Sequence, residues 1–243
     1  MTPPSDSIAC SGPPRDEMIA RGRSHIIVNM AVSVDGRISS RSREHFALGS
    51  KHDRRLMDVV REHADAVLIG AGTVRHDGHP MLLRYADLVA HRTARGRTPH
   101  PVNVVLSGDL NLPMRPFFTG DETRRIVFTT RRASAARVRR FARVAEVVVL
   151  PGKDPSPARV VSELRERGLK RLVLEGGGEV HFAFAKAGLV DEWYVTVTPR
   201  LIGGRSAPTF LDGIGFLKRN HIELKLVSQR RIGDEIFLRY RKR

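Results

Sequence analysis

The stretch Leu172-Val-Leu-Glu-Gly-Gly-Gly-Glu-Val180 decides the fold, because an apolar run stops at a carboxylate and three glycines before a helix-like segment begins. It predicts a strand, a loop of bare backbone and a helix start. The backbone N–H groups of Gly176, Gly177 and Gly178, together with the positive end of the following helix, are suited to bind a phosphate. The same glycines are also typical of a simple turn from strand to helix. The stretch therefore predicts a strand–turn–helix unit and leaves a phosphate site and a plain turn as alternatives.

Strands and helices alternate on both sides of this stretch. Apolar runs predict strands at residues 26–34, 66–70, 102–106, 126–129, 146–150 and 172–175. Helical patterns follow Ser50, which we interpret as an N-cap, and occupy residues 133–143, 157–168 and 180–187. This alternation indicates an α/β fold with a mainly parallel central sheet and helices on both faces.

The C-terminal part departs from that alternation. Residues 192–200, 222–229 and 235–241 are predicted as strands without an intervening helix, and Arg231-Ile-Gly-Asp234 is predicted as a hairpin turn. The sheet is therefore expected to end in an antiparallel C-terminal hairpin.

Length and composition favour one folded domain with a tail. The 243 residues are 41% hydrophobic and 28% charged, which is ordinary globular usage. Residues 1–23 contain four prolines among Ser, Gly, Asp and Arg, so we expect a disordered tail at 1–23 and the domain at 24–243. Cys10 is the only cysteine, which excludes a disulfide framework and fits a reducing cytoplasm. No run reaches the roughly 18 apolar residues of a membrane span.

The net charge of +16 and the pI near 11.2 predict anionic partners. Nucleic acid, anionic lipid and phosphorylated small molecules all fit this charge. Only three Tyr and one Trp are available for base stacking, which argues against a dedicated single-strand binder. An Arg-rich, solvated surface without a specific partner is the simpler explanation of the charge.

Four predicted strands end in small or hydroxylic residues. These exits are Gly70-Ala-Gly-Thr73, Ser107-Gly108, Thr129-Thr130 and Glu175-Gly-Gly-Gly178. Because ligands of open α/β sheets bind where the strands' carboxyl ends emerge, the four exits together predict a long phosphate-bearing ligand across this edge. The chain has neither the G-x-G-x-x-G dinucleotide fingerprint after the first strand nor a P-loop.

A set of motifs in fixed order resembles a known family. The motifs are Asn29-Met-Ala-Val-Ser-Val-Asp-Gly36, Ala66-Val-Leu-Ile-Gly-Ala-Gly-Thr-Val74, the loop 77–84, Leu174-Glu-Gly-Gly-Gly178, Gly188-Leu-Val-Asp-Glu192 and Pro199-Arg-Leu-Ile-Gly-Gly204. They resemble the reductase domain of riboflavin biosynthesis over about residues 25–242. The resemblance implies a single domain with the dihydrofolate-reductase-like fold.

The same resemblance implies the reaction. The family reduces a ribosylamino-pyrimidine 5′-phosphate to the ribitylamino product with NADPH, delivering hydride to the ribose C1′. Asn29 stands where the bacterial bifunctional enzymes usually carry Lys, and residues 207–213 are similar to the stand-alone archaeal reductases, which favours the 2,5-diamino-pyrimidinone substrate. A homodimer is expected both from the family and from the exposed edge of the C-terminal strands.

The resemblance also implies residue roles. The cofactor's pyrophosphate and nicotinamide side would contact Gly70, Gly72, Thr73, Gly176, Gly177 and Gly178. Its adenosine half and 2′-phosphate would face Ser107, Thr129 and Thr130. The substrate would contact Asn29, Asp35, Ser50, Met81 and Arg84, the last through a guanidinium that matches phosphate oxygens. Asp77, with Glu175 second, is the expected general acid.

Several of these residues have simpler interpretations. Asp35 and Asp77 precede glycines and are typical of turns, and Ser50 is equally suited to be only a helix cap. The sequence-clustered histidines between His45 and His79 lack ligand spacing, so no metal site is expected. The loop Asp77-Gly-His-Pro-Met-Leu-Leu-Arg84 departs from the family's Asp-Asp-Pro-x-Leu-Thr-Val-Arg.

That departure keeps two other functions open. One is a reductase of the same fold acting on another heterocycle such as dihydrofolate. The other, from a different class, is a basic nucleic-acid-binding protein on an inert reductase-like fold. The latter would bind duplex or RNA in a strongly salt-dependent way without competition from NADPH.

Overall fold

The computed structural model describes residues 22–44 and 47–243. Most of the predicted tail at 1–23, including Cys10, lies outside the described residues, as does His45. The strands are β1 (His25–Ser33), β2 (Ala66–Gly70), β3 (Val102–Leu106), β4 (Arg125–Thr130), β5 (Glu146–Leu150), β6 (Arg171–Gly176), β7 (Glu192–Thr198), β8 (Leu224–Ile232) and β9 (Glu235–Lys242). The helices are α1 (Lys51–His63), α2 (Ala71–His76), α3 (Ala86–Ala94), α4 (Pro116–Thr119), α5 (Ala135–Phe141), α6 (Pro157–Glu166) and α7 (Gly178–Lys186).

All nine strands form one sheet in the order β5-β4-β3-β2-β6-β1-β7-β9-β8. The first seven strands in this order pair in parallel, whereas β9 pairs antiparallel with β7 and with β8. The predicted hairpin turn is confirmed, because Ile232 pairs with Glu235 around Gly233, whose φ of +59° suits glycine. The predicted mainly parallel α/β sheet with an antiparallel C-terminal hairpin is thus confirmed.

Each face of the sheet carries its own apolar core. Successive strand residues point to opposite faces, so Ile26 and Val28 join one core and Ile27 joins the other. The first core is covered by α6 and α7, through Val160, Leu164 and Phe184 in particular. The second is covered by α1, α4 and α5, through Leu56, Val60, Phe117, Phe118 and Phe141. Helices on both faces, as predicted, bury the long apolar strands of a parallel sheet.

Three short helices were not predicted. Residues 71–76, expected to be only a strand exit, form α2 directly after β2, with Gly70 as the N-cap. The segments of α3 and α4 have too few turns for their periodicity to stand out from loop sequence. Arg92 of α3 fastens the end of α1, since Nη1 donates to the carbonyls of Glu62 and Ala64 at 2.7 and 2.6 Å. In the described part of the chain, no helix has the length and apolar character of a membrane span.

Candidate active site

A cleft of about 870 Å³ lies along the carboxyl ends of the parallel strands. Its walls come from the ends of β2, β3 and β6, from α2 and α7, and from loops after β1, β4 and β5. Nine of the predicted site residues line it: Gly70, Gly72, Thr73, Asp77, Ser107, Glu175, Gly176, Gly177 and Gly178. The tertiary structure therefore brings three of the four predicted strand exits to one cleft.

The three consecutive glycines are required by the packing of the protein itself. A Cβ on Gly176 would lie 2.5 Å from Thr73 Oγ1, and one on Gly178 would lie 2.3 Å from the carbonyl oxygen of Thr209. Gly177 has a φ of +80°, in the left-handed region that favours glycine. Chain packing alone thus accounts for this motif, and its position in the wall of the cleft is a separate fact.

Gly72 differs from that motif because nothing in the chain requires it to be glycine. A Cβ built there has no atom within 4 Å, and its φ is not in the left-handed region. Since Gly72 lines the cleft, a side chain at this position would occupy space in the cleft. The helix α7 begins at Gly178, and its N-cap, Gly177, offers no side-chain cap. A long cleft with bare backbone and a helix N-terminus fits an anionic dinucleotide.

The predicted adenosine contacts Thr129 and Thr130 are not among the residues that line the cleft. Both are fully buried, and their hydroxyls lie 3.3 and 2.8 Å from the carbonyl oxygen of Gly108. The side chains at this end of the cleft belong instead to Arg132 and Asp154, which follow β4 and β5. Thr129 and Thr130 therefore lie beneath the surface of the cleft rather than in its wall.

Glu175, the last side chain before the glycines, forms a buried ion pair with Arg61 of α1. Arg61 Nε lies 2.9 and 3.0 Å from the two carboxylate oxygens, and Nη2 lies 2.6 Å from Oε2. The Arg61 and Glu175 side chains are 5% and 2% exposed. A fork that engages both oxygens fixes the carboxylate's orientation beside the cleft.

Further contacts hold Arg61 in place. Its Nη1 donates to the carbonyl of Leu82 at 2.6 Å and lies 3.4 Å from Asp58 Oδ1. Asp58 is completely buried and also accepts a hydrogen bond from the backbone N–H of Arg84. The Arg84 guanidinium lies 3.4 Å from Asp58, and the Arg84 side chain is 42% exposed. Arg84, which is predicted to bind the substrate's phosphate, is therefore held through its backbone N–H, while its side chain reaches solvent.

A third buried carboxyl group, Asp53, lies at the start of α1. Burial raises its pKa to about 6, the hydrogen bond with Thr196 opposes that rise, and the charge of Glu235 adds to it. Glu235 in turn accepts hydrogen bonds from the backbone N–H and the hydroxyl of Ser50, at 2.7 and 2.6 Å. Within 22–44 and 47–243, no group of three or more His, Cys, Asp or Glu is arranged to hold a metal ion.

Ser50 is the N-cap of α1, as its position in the sequence predicts. Its hydroxyl oxygen accepts from the backbone N–H of His52 at 3.1 Å while donating to Glu235. Both hydrogen-bonding functions of the hydroxyl are thus satisfied within the protein.

Asn29 lies on β1, the strand next to β6, and Met81 lies beside Arg61; neither is among the residues that line the cleft. Asn29 is 5% exposed on β1, and its Nδ2 has no hydrogen-bond partner. The Met81 sulfur lies 3.4 Å from Arg61 Nη2. An unsatisfied buried amide is costly, so Asn29 has a donor available for a bound molecule.

Asp35 and Asp77 occupy different settings. Asp35 accepts hydrogen bonds from the Ser33 hydroxyl and the backbone N–H groups of Ile202 and Gly203, and these lower its pKa to about 2. It joins two loops and is not one of the residues around the cleft. Asp77 ends α2 and does line the cleft, with its side chain 26% exposed and 3.1 Å from His79 Nδ1.

Sequence reasoning missed the buried charges of α1: Asp53, Asp58, Arg61 and Glu62. One signal was available, because Asp53 lies on the same helical stripe as Leu56 and Val60, the residues that identify the buried face. A carboxylate on an apolar stripe predicts a buried partner. Arg61 gave no such signal, and its partner Glu175 is 114 residues away in the chain, so only the fold shows that pair.

The sequence is similar to that of known proteins over most of its length. Residues 24–238 match the family described as the RibD C-terminal domain. A protein of Archaeoglobus fulgidus named 2,5-diamino-6-ribosylamino-4(3H)-pyrimidinone 5′-phosphate reductase is 35% identical over 201 residues, which are 83% of this chain and 92% of that protein. A protein of the same name from Methanothermobacter thermautotrophicus is 29% identical, over 90% of this chain and 98% of that one.

Solved structures share the fold. A pyrimidine reductase-like protein from Corynebacterium diphtheriae matches with a TM-score of 0.80 and 24% identity, over 96% of both chains. The riboflavin biosynthesis reductase Rib7 of Saccharomyces matches with a TM-score of 0.66 and 16% identity, over 91% of both chains. These two proteins therefore share the overall fold of this chain.

Proposed function

Because the chain belongs to the RibD C-terminal domain family, we propose that it uses NADPH to reduce a ribosylamino-pyrimidine 5′-phosphate to the ribitylamino product in riboflavin biosynthesis. The observation that carries the proposal is the cleft itself. It combines bare backbone along the strand ends with the carboxylates of Asp77 and Glu175 among its lining residues. That combination suits a dinucleotide lying beside a group that is reduced and protonated.

The cofactor residues are proposed from their positions in the cleft. Gly72 leaves room for the nicotinamide side, and the N-terminal end of α7 faces the pyrophosphate. Ser107 lies at the end of β3, towards the adenosine half. When bound, NADPH supplies the hydride that is transferred to C1′ of the sugar.

Asp77 and Glu175 both line the cleft, and we assign them different roles. Glu175 is clamped by Arg61, so we assign it to orienting the sugar and separating the cofactor from the substrate. Asp77 also lines the cleft, and its side chain is 26% exposed, so we assign it to the contact with a sugar oxygen. Asp77 therefore donates the proton to the ring oxygen as the ring opens.

The substrate is the 2,5-diamino-pyrimidinone. The similar proteins of Archaeoglobus and Methanothermobacter are named for that compound, and the Asn29 amide adds a buried donor near Glu175. Arg84, whose side chain is 42% exposed, is the proposed ligand of the 5′-phosphate.

Steady-state kinetics test the proposal. Purified protein should oxidise NADPH in the presence of the diamino-pyrimidinone phosphate, and faster than with the deaminated compound or with dihydrofolate. Asp77→Asn should lower turnover by about 10²-fold or more, because it removes the general acid, while NADPH affinity changes little. Asp87→Asn is the matched control, since Asp87 pairs with Arg55 on the exposed surface of α3. Failure to oxidise NADPH with any of these substrates contradicts the proposal.

The enzyme is proposed to act as a homodimer through the edge strand β8. This strand ends the sheet, and Leu226 and Val227 on it are 44% and 39% exposed. An exposed edge with apolar side chains favours pairing with a second copy. Sedimentation equilibrium should give twice the mass of the chain, and Leu226→Lys should shift the protein towards monomer.

A further inference from the structure

The end of the cleft formed by β3, β4 and β5 carries one exposed ion pair. Arg132 Nη1 lies 3.2 Å from Asp154 Oδ1 and 3.4 Å from the carbonyl oxygen of Lys153. Both Arg132 and Asp154 line the cleft, and their side chains are 48% and 70% exposed. The pair packs on Gly108, where an added Cβ would lie 2.9 Å from the Asp154 carboxylate and 3.2 Å from the Arg132 guanidinium.

A rigid platform lies under this pair. The Thr130 hydroxyl lies 2.8 Å from the Gly108 carbonyl and 3.2 Å from the Lys153 carbonyl, and it accepts from the backbone N–H of Arg132 at 3.3 Å. One fully buried residue thus joins the loops that follow three neighbouring strands. The backbone beneath Arg132 and Asp154 is fixed, while their side-chain ends remain in solvent.

Exposed ion pairs contribute little free energy, so this one can exchange partners. A phosphate monoester carries close to two negative charges and several acceptor oxygens, and it matches the guanidinium fork as a carboxylate does. A phosphate arriving at this end would displace Asp154 from Arg132. The carboxylate would then oppose the phosphate through its like charge.

We propose that Arg132 selects a dinucleotide that carries a 2′-phosphate, and that Asp154 is a built-in competitor that weakens this selection. The inference rests on the proposed function in assuming that the adenosine half of a nicotinamide dinucleotide lies at this end of the cleft. Asp154 holds the Arg132 guanidinium at the cleft mouth before binding. The 2′-phosphate replaces it, and the released carboxylate turns to solvent.

Calorimetric titration with 2′,5′-ADP and with 5′-AMP tests the inference without any turnover. In the unaltered protein, 2′,5′-ADP should bind more tightly than 5′-AMP. Arg132→Ala should weaken 2′,5′-ADP by about tenfold or more and leave 5′-AMP within about twofold, because a charge-assisted contact to phosphate is lost. Asp154→Asn should tighten 2′,5′-ADP by about two- to fivefold, the range expected for an exposed pair.

Arg131→Ala is the matched control, because Arg131 is an exposed neighbour on the same loop that does not line the cleft. It should change neither affinity. An unaltered ratio of the two affinities in Arg132→Ala overturns the inference, and so does an Asp154→Asn variant that binds 2′,5′-ADP no better than the unaltered protein. If the unaltered protein binds none of 5′-AMP, 2′,5′-ADP and NADPH, it is the proposed function that is contradicted.

Discussion

Two buried arginine–glutamate pairs occupy opposite ends of the same sheet and differ in what surrounds them. Arg61 and Glu175 meet at 2.6 Å where β6 ends, and Arg239 and Glu192 meet at 2.7 Å where β7 begins. All four side chains are 5% exposed or less. Only the first pair adjoins the cleft, through Glu175. Similar chemistry therefore serves two regions with different functions.

The local charge balance has opposite signs in the two regions. Around Arg61, the carboxyl groups of Asp53, Asp58, Glu175 and Glu235 outnumber the guanidinium groups of Arg61 and Arg84. Around Glu192, one carboxylate is shared by Arg239 and Arg241, with the His25 ring 3.7 Å away.

The pKa values follow this balance. Burial and neighbouring acids raise the pKa of Asp53 to about 6. At Glu192 burial also favours the neutral acid, but hydrogen bonds from His25 and Arg239 and the charges of Arg239 and Arg241 outweigh it and lower the pKa to about 2. The groups around Glu192 thus stabilise its ionised form. The groups around Arg61 instead include more carboxyl groups than guanidinium groups, which costs stability and is common in binding sites.

The largest expected effect is a loss of stability on changing Glu192, at the start of β7. Glu192→Gln should lower the free energy of unfolding by about 3–5 kcal/mol, because it removes the charge that Arg239 and Arg241 share in a buried site. Turnover per folded molecule should not change, since Glu192 is not among the cleft residues. Urea unfolding and kinetics well below the melting temperature measure both. A loss of turnover without a loss of stability would reverse the roles given to the two pairs.

The matching change beside the cleft should act mainly on catalysis. Glu175→Gln should lower turnover by about 10²-fold and NADPH affinity much less, because the carboxylate orients the sugar in the proposed reaction. Its loss of stability should be smaller than that of Glu192→Gln, since Asp58 and the Leu82 carbonyl still hold Arg61. An effect on NADPH affinity larger than that on turnover would undo this role.

Acid should lower the stability contributed by the Glu192–Arg239 pair at the start of β7. The Glu192 pKa of about 2 lies below its ordinary value of 4.5, so the folded state binds this proton more weakly than the unfolded chain. The stability it contributes is complete above pH 4.5 and is lost as the pH falls towards 2. Unfolding free energies measured across this window should fall less steeply in Glu192→Gln. Equal slopes in both proteins would argue against this assignment.

The smallest expected effect has the opposite sign. Because the Asp53 pKa of about 6 lies above its ordinary value of 3.8, its favourable contribution is present below pH 3.8 and is lost as the pH rises through 6. Asp53→Asn should therefore raise the free energy of unfolding at pH 7 to 8 by up to about 3 kcal/mol, the free energy that separates a pKa of about 6 from one of 3.8, and the gain should disappear near pH 4. Thermal unfolding at the two pH values measures it. Destabilisation at pH 8 would mean that ionised Asp53 is well paired.

Much of the fold was predictable because it depends on local patterns. The apolar runs at 66–70, 102–106 and 146–150 are strands with the predicted bounds, and Ser50 caps α1 as predicted. The short helix at Ala71–His76 was missed, since six residues give too little periodicity. The strand exits that line the cleft were predictable in part, because parallel strands bring their carboxyl ends to one edge.

Sequence by itself determined the sheet, its hairpin and the glycine-bearing edge, because alternation, turn residues and caps act over a few neighbouring residues. Only the tertiary structure decided which charged side chains are buried and which of them form ion pairs. Arg61 and Glu175 are 114 residues apart, and nothing in either segment specifies the other. It also placed Thr130 under the floor of the cleft and Arg132 in its wall, a distinction that depends on the packing of three loops.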